Sequence, residues 1–290
     1  MEISEANQYL YLAQETNKSL PIDKLPDIEI YLVNRRITLM TIPSIVQKIH
    51  KSCLEQSKII VASYNVHSFN FSLQIPWFYD FQQTADIARC DGSGIIKTLE
   101  YLGLNLPQQY RAPGTYLIPQ LVEYSAQHNL SLFLLGSKPE YLQKAIVKIR
   151  SQYPGIAITG HHGYFNKEDS EQNKEIVQKI NLAKPNILLV GMGMPIQENW
   201  IRLHHHQLEV NAILPCGAVI DRLAGVVSNC PVLLSNFGLE WLYRLLREPN
   251  RLASRYLLGN PAFAFQVALA QKFHRDSLKV KYIRGQEING

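Results

Sequence analysis

The sequence predicts an α/β fold: a mostly parallel sheet with helices on both faces, followed by a C-terminal helical appendage. Three observations predict it. Short apolar runs alternate with stretches of helical periodicity from Ile28 to Gly217. The runs are apolar throughout, as strands covered on both faces are. Several end in glycine just before a helical stretch begins, as at Gly136, Gly191 and Gly193, which is the punctuation of strand–turn–helix units.

Taken in order, IEIYLV (28–33) reads as a strand and Ile42 to Leu54 as a helix. KIIVAS (58–63) reads as a buried strand and ADIARC (85–90) as a shorter one, before the helix GIIKTLEYLG (94–103), which stops at Gly103. LSLFLLG (130–136) is the clearest strand. The helix after it takes Ser137 as its N-cap and Pro139 in its first turn. GIAITG (155–160), NILLVGMG (186–193) and NAILPCG (211–217) are further strands, separated by helices over 168–183 and 195–207. Beyond Leu233 the pattern predicts helices only: 235–249 ended by Pro249, 251–260 ended by Gly259, and 261–278. The implied organisation is a polar lead-in (1–26), an α/β domain (27–232) and a basic helical appendage (233–290).

Composition narrows the class. With 290 residues, 46% hydrophobic and 18% charged, the chain has enough apolar content for a folded core. No apolar run reaches the roughly 18 residues of a membrane span. The N-terminus lacks the basic-then-apolar order of a signal peptide, so a cytoplasmic location is expected. Cys53, Cys90, Cys216 and Cys230 form no C-x-x-C pair, which favours reduced thiols over disulfide or zinc roles. The net charge of +5 is uneven: residues 1–239 hold 20 basic and 20 acidic side chains, and residues 240–290 hold nine and four. A basic tail on a neutral body implies an anionic partner for the tail: nucleic acid, anionic lipid or a diphosphate.

Open α/β sheets bind ligands where strands end and helices begin. Three such junctions stand out: Ser63-Tyr64-Asn65, Cys90-Asp91-Gly92-Ser93-Gly94, and the run from Gly191 to Glu198. Glycines there admit a ligand to the backbone, and helix N-termini favour phosphate oxygens. Asp91 suits either a helix N-cap or a general base at the sheet edge. The G-M-G run is not a dinucleotide fingerprint, which speaks against NAD. His204, His205 and His206 are consecutive on a helix and point in different directions. His161 and His162 have no carboxylate at ligand spacing, so no metal is expected. In the tail, Arg244, Arg247, Arg251 and Arg255 are spaced by three, four and four. On one continuous helix they would share a face. Interleaved with Trp241, Leu245, Leu257 and Leu258, they suit either a solvated basic face or a surface that grips lipid headgroups and a diphosphate.

In combination, DGSGIIKTLEYLG (91–103), RAPGT (111–115), LFLLGSKPEYL (132–142), YPGIAITGHHGYF (153–165), VGMGMPIQENWI (190–201), GAVIDRLAG (217–225) and FGLEWLYRLLREPNRLASRYLLGN (237–260) resemble the WecG/TagA/CpsF glycosyltransferase family, over about Ile28 to Gln271. The resemblance implies a Rossmann-like, metal-independent, cofactor-free inverting enzyme. Its substrates would be a UDP-sugar, often UDP-N-acetylmannosamine, and a polyprenyl-diphosphate-linked acceptor. It implies Asp91 as general base and Gln197 near the sugar and phosphates. Ser63, Asn65, Gly136, Gly191, Gly193 and Asp221 would serve the donor. Arg244, Arg247, Arg251 and Arg255 would reach a diphosphate. Backbone amides near Gly193 and an appendage arginine would offset the charge on departing UDP. The appendage would dock on the inner face of the cell membrane, and a homo-oligomer is allowed. Three positions depart from the family pattern: Tyr116 for its Asp, Ile196 for its Lys, and Asn229-Cys230-Pro231 for its R-A-P. They leave the transferred sugar open among N-acetylmannosamine, glucose and uronic acid sugars.

Two other classes compete. A nucleotide-binding oxidoreductase would share the fold but lacks the glycine fingerprint. A non-catalytic, membrane-docked partner of a polysaccharide assembly complex would need only the basic tail. A nucleic-acid binder fits less well, because the basic residues are confined to the tail among aliphatic ones.

Overall fold

The computed structural model of the protein describes residues 25–228, 230, 234, 239–273 and 278–282. Of the lead-in 1–26, only residues 25 and 26 are among them. Asn229 and Pro231, two of the three residues in the N-C-P departure, lie outside the described residues, as does everything beyond residue 282.

The first elements are strands β1 (Ile28–Leu32) and β2 (Arg35–Leu39), helix α1 (Ile42–Leu54), strand β3 (Ile59–Tyr64), helices α2 (Val66–Gln74) and α3 (Pro76–Thr84), strand β4 (Ile87–Cys90) and helix α4 (Ser93–Tyr101). Helix α5 (Gly114–Gln127) follows, then β5 (Leu132–Gly136), α6 (Pro139–Gln152), β6 (Ile158–His161), α7 (Ser170–Ala183), β7 (Ile187–Gly191), α8 (Ile196–His204), β8 (Ala212–Pro215) and the short α9 (Val219–Leu223). The described C-terminal part holds α10 (Glu240–Arg247), α11 (Pro249–Ala253), α12 (Gly259–Phe273) and β9 (Leu278–Tyr282). This is the expected α/β class: strands paired mostly in parallel, alternating with helices, and helices near the C-terminus.

The chain forms two compact units that are discontinuous in sequence. Unit one comprises Met1–Ile45, Ser63–Pro113 and Cys230–Gly290; unit two comprises Val46–Ala62 and Gly114–Asn229.

In unit two the strand order is β6-β5-β7-β8-β3, and these neighbours pair in parallel. Leu132–Leu135 and Ile187–Val190 are buried on both faces, which is why these strands carry no polar alternation. The register pairs Gly136 with Gly191 at the strand ends. Helix α7 starts where Asp169 accepts hydrogen bonds from the Glu171 and Gln172 amides at 2.9 and 3.2 Å, an N-cap. Trp200 on α8 is buried, and its indole N–H donates to Asn173 Oδ1 at 2.8 Å.

In unit one the order is β4-β2-β1-β9. Strands β2 and β4 are parallel, but β1 pairs antiparallel with both β2 and β9. The hairpin turn between β1 and β2 is Val33-Asn34, with φ of 47° and 61°. Both residues are in the left-handed region that a tight hairpin requires. A β-branched Val there is unusual, so the turn carries no Asn-Gly flag and β2 went unpredicted. Helices α2, α3 and α5 were also unpredicted. Ile75-Pro76 splits the first two, and Pro119 lies inside the third.

The C-terminal helices form, but not with the predicted breaks. Pro249 does not end a helix. It opens α11 in its first turn, where proline has no amide bond to lose, and the break falls one residue earlier, at Glu248 (φ −135°, ψ 58°). Gly259 does not end a helix either. Its φ is −67°, and the helix runs on from a π-wound turn at Ser254–Leu258. The glycine serves a close approach, because Asn70 Nδ2 donates to its carbonyl oxygen at 2.8 Å. Phe263 and Val267 of α12 belong to the core of unit one with Ile30, Leu39 and Phe69, and the Phe69 and Phe263 rings meet edge to face at 4.9 Å. Strand β9 follows where only helix was predicted. Its residues LKVKY alternate apolar with lysine, and the lysines hid the strand in a tail already read as a basic helix. Among the described residues, no helix is long and apolar enough to cross a membrane.

Candidate functional site

Unit one gathers Ser63, Asn65 and Asp91 at the ends of β3 and β4. The Asp91 amide donates to the Tyr64 carbonyl at 2.7 Å, which sets Asp91 beside Asn65. Asn65 caps α2: its Oδ1 accepts from the His67 and Ser68 amides at 3.0 and 3.1 Å. The cap decides how the carboxamide is oriented. With its oxygen turned to the helix, its Nδ2 donates to Asp91 Oδ2 at 3.4 Å. Arg89 Nη1 lies 3.3 Å from Asp91 Oδ1, and the Arg89 side chain is buried. The same guanidinium donates to the Ala112 carbonyl, so it is braced by backbone. The Asp91 side chain remains 21% exposed. Asp91 is not the N-cap of α4; Gly92 is, without a side-chain cap bond. Of the two roles open to Asp91 in the sequence, the cap is therefore excluded. Ser63 is buried, and its carbonyl accepts from Gln82 Nε2 at 3.3 Å. Burial pushes the neighbouring Cys90 thiol up to about 12, so this cysteine is no nucleophile at neutral pH.

In unit two the strand ends are built from glycine. A Cβ on Gly136 would run into the Gly191 carbonyl, and one on Gly191 would lie 2.7 Å from the Gly217 oxygen. The ends of β5 and β7 and the turn after β8 thus touch backbone to backbone. Ser137, predicted as an N-cap, sits instead at φ 63°. Lys138 takes the cap position, without a side-chain bond. The Ser137 hydroxyl donates to Asp221 Oδ1, and its amide donates to the Gly191 carbonyl at 3.2 Å. Asp221 is therefore held against the end of β5.

Gln197 is buried and internally satisfied. Its Oε1 accepts from the Gly193 amide at 3.2 Å and from the Gly217 amide at 3.0 Å, and its Nε2 donates to Glu198 Oε1 at 2.9 Å. Of the backbone amides near Gly193 that are expected to offset charge on departing UDP, that of Gly193 itself is engaged by Gln197. A Cβ at Gly193, where φ is 84°, would meet nothing within 4 Å, so this loop stays open on its outer side.

In the C-terminal helices Arg247 is exposed, with its guanidinium 5.5 Å from the Tyr243 ring centroid, and Arg255 lies 5.5 Å from that of Tyr256. Arg244 and Arg251 are on α10 and α11. The break at Glu248 and the π-wound turn mean that the four do not lie on one continuous helix. Burial, with the Arg255 charge second, pushes His67 on α2 down to about 4. Leu246, Leu257, Leu258, Phe265 and Phe273 are exposed, Leu246 by 74%. Among the described residues no group of three or more His, Cys, Asp or Glu side chains could hold a metal.

Arg89, Ser137 and Glu198 were missed as site residues. Arg89 and Ser137 each lie two or fewer residues from a residue that was singled out, and Glu198 is next to Gln197. Ser137 is revealed by its contact with Asp221, 84 residues away, and Arg89 and Glu198 only by which way their side chains turn.

Glycine-built strand ends and a braced, half-buried carboxylate at a strand end are features of the junctions at which open α/β sheets bind ligands. Residues 30–277 match the model of the glycosyl transferase WecG/TagA/CpsF family. The chain belongs to that family. It is 28% identical over 216 residues to the N-acetylglucosaminyldiphosphoundecaprenol N-acetyl-beta-D-mannosaminyltransferases of Staphylococcus aureus strains MW2 and NCTC 8325, covering 74% of this chain and 82% of each relative.

Proposed function

We propose that this protein is a metal-independent inverting glycosyltransferase. It moves N-acetylmannosamine or a related hexose from a UDP-sugar to a polyprenyl-diphosphate-linked saccharide at the inner face of the cell membrane, in the synthesis of a cell-surface polysaccharide. The observation that carries the reading is Asp91: a half-buried carboxylate at a strand end, held on one side by the Asn65 amide and on the other by buried Arg89.

Asp91 accepts the proton of the acceptor hydroxyl as that oxygen attacks the anomeric carbon. The bond from that carbon to the UDP oxygen breaks, and the electron pair leaves with UDP. Asn65 orients Asp91. Ser63, at the end of β3, serves the donor. Asp221, positioned by Ser137, accepts a hydroxyl of the nucleoside, and Gly136, Gly191 and Gly193 admit the phosphates to the backbone. Gln197 acts by shaping the loops. An appendage arginine offsets the charge on the diphosphate, since the Gly193 amide is occupied. Exposed Leu246, Leu257, Leu258 and Phe265, in the same run of C-terminal helices as exposed Arg247, suit an interfacial surface.

The test is UDP release from a panel of UDP-sugars with a short-chain polyprenyl-diphosphate saccharide as acceptor. Release is expected from one donor, dependent on acceptor and unaffected by chelator. No release from any donor, together with binding to anionic vesicles, would instead support a non-catalytic membrane-docked partner. The surface is checked separately: Leu257→Glu with Leu258→Glu should weaken co-sedimentation with anionic vesicles.

A further inference from the structure

Glu198 is the most deeply placed carboxyl group of unit two. It is fully buried, its Oε1 accepts from Gln197 Nε2 at 2.9 Å, and its Oε2 has no hydrogen-bond partner. Such a group is costly to keep inside a fold unless it serves its neighbours. Its side-chain partner is the carboxamide that gathers the loop amides of Gly193 and Gly217. A carboxamide has two orientations of nearly equal shape. In one, its oxygen faces the two amide donors. In the other, its NH₂ group would face them, donor against donor. A carboxylate oxygen at Glu198 accepts only from the NH₂ side, so it selects the first orientation.

We propose that Glu198 is a positioning residue for donor binding: it fixes the Gln197 carboxamide so that one oxygen clamps the Gly193 and Gly217 loops together. The proposal rests on the reading of this edge as the donor site. The clamp spans the turn after β7 and the turn after β8. Both glycines have positive φ (84° and 55°), and neither would meet an atom within 4 Å if it carried a Cβ. The Cβ side of both glycines is therefore open, and the Gln197 oxygen is the hydrogen-bonded contact that ties the Gly193 amide to the Gly217 amide. Burial pushes the Glu198 carboxyl up to about 7, so either protonation state is accessible near neutral pH. Both keep an acceptor oxygen for Gln197.

The experiment compares wild type, Glu198→Met and Glu198→Gln. UDP affinity is read by calorimetry, and amide hydrogen exchange is read at Gly193 and Gly217. In wild type both amides should be protected. Glu198→Met preserves volume but offers Gln197 no comparable acceptor. It should weaken UDP binding by about tenfold or more, the cost of a misplaced buried hydrogen-bonding group, and speed exchange at both glycines. It should raise KM for the donor while leaving kcat nearly unchanged. Glu198→Gln restores an acceptor oxygen and should recover most of the affinity and protection. Rapid exchange at both amides in wild type overturns the proposal, even if Glu198→Met does not fold. So does Glu198→Gln losing as much affinity as Glu198→Met. If wild type binds no UDP while both amides are protected and Glu198→Met releases them, the donor-site reading fails and the clamp stands.

Discussion

Asp91 in unit one and the Gly136–Gly191 edge in unit two present their polar atoms by different means. In unit one a carboxylate is held by side chains: a cap residue, Asn65, and a buried arginine, Arg89. In unit two the side chains are removed, and backbone lies against backbone from Gly136 through Gly191 to Gly217. Even the polar side chains of unit two, Gln197 and Ser137, are taken up in fixing backbone and Asp221. Under the proposed function, the difference teaches that proton transfer and phosphate accommodation ask for different materials. A base must be one named atom on a braced side chain. A phosphate cradle needs close approach, which any Cβ would obstruct.

Substitutions should separate the two by what they damage. Asp91→Asn keeps the shape and the Asn65 contact region but removes the base. The acceptor-dependent rate of UDP release should fall about 10²–10⁴-fold with UDP affinity little changed. Retention of most of the activity would sink the role given to Asp91. In unit two, Gly136→Ala forces a methyl into the Gly191 carbonyl. It should lower unfolding free energy by about 3 kcal/mol or more, measured by urea denaturation. Gly193→Ala meets open space and bears only the strain of its positive φ. It should cost about 1 kcal/mol. Equal costs at the two positions would break the account of a backbone-built edge.

The remaining effects are in pH dependence, and their signs oppose. His67 in unit one is pushed down from 6.5 to about 4 by burial and Arg255. Between those values the unfolded chain takes up a proton that the folded chain does not. The contribution of His67 is therefore present above pH 6.5 and is lost as pH falls toward 4. Glu198 in unit two is pushed up from 4.5 to about 7 by burial. Its folded form binds the extra proton, so its contribution is present below pH 4.5 and is lost as pH rises through 7. Urea midpoints across this range should show His67→Asn flattening the acid-side loss and Glu198→Gln flattening the loss toward neutral pH. The same sign for both variants would contradict the assignments.

Much of the fold was legible because burial leaves a plain mark. β5 and β7 are apolar at every position, and such runs bounded by glycine read as strands wherever they fall. β2 was not legible, because its turn is Val33-Asn34 and its residues RRITL begin with two arginines. β9 was hidden by its lysines. α12 was legible as a helix over 261–278, but composition does not say which core receives Phe263 and Val267. At the site, Asp91 and Asn65 could be picked out from their junctions, but the choice between cap and base for Asp91 could not be made. That choice depended on Gly92 occupying the cap and on Arg89 reaching Asp91, both facts of geometry. Ser137 was misread for the same reason: Ser before Lys-Pro looks like a cap until Asp221, 84 residues away, is found to accept its hydroxyl.

By itself the sequence determined the fold class, the strand–helix alternation, the glycine junctions, the uneven charge and the family motifs, because each is written in local composition and spacing. Tertiary structure alone decided that the chain folds into two units interleaved along its length, that the C-terminal helix supplies core to unit one, and that Gln197 serves Gly193, Gly217 and Glu198. Those outcomes rest on contacts that spacing along the chain does not show, such as that of Gln197 with Gly217. A local pattern records that a side chain is apolar or polar, but not which distant partner will take its surface or its hydrogen bond.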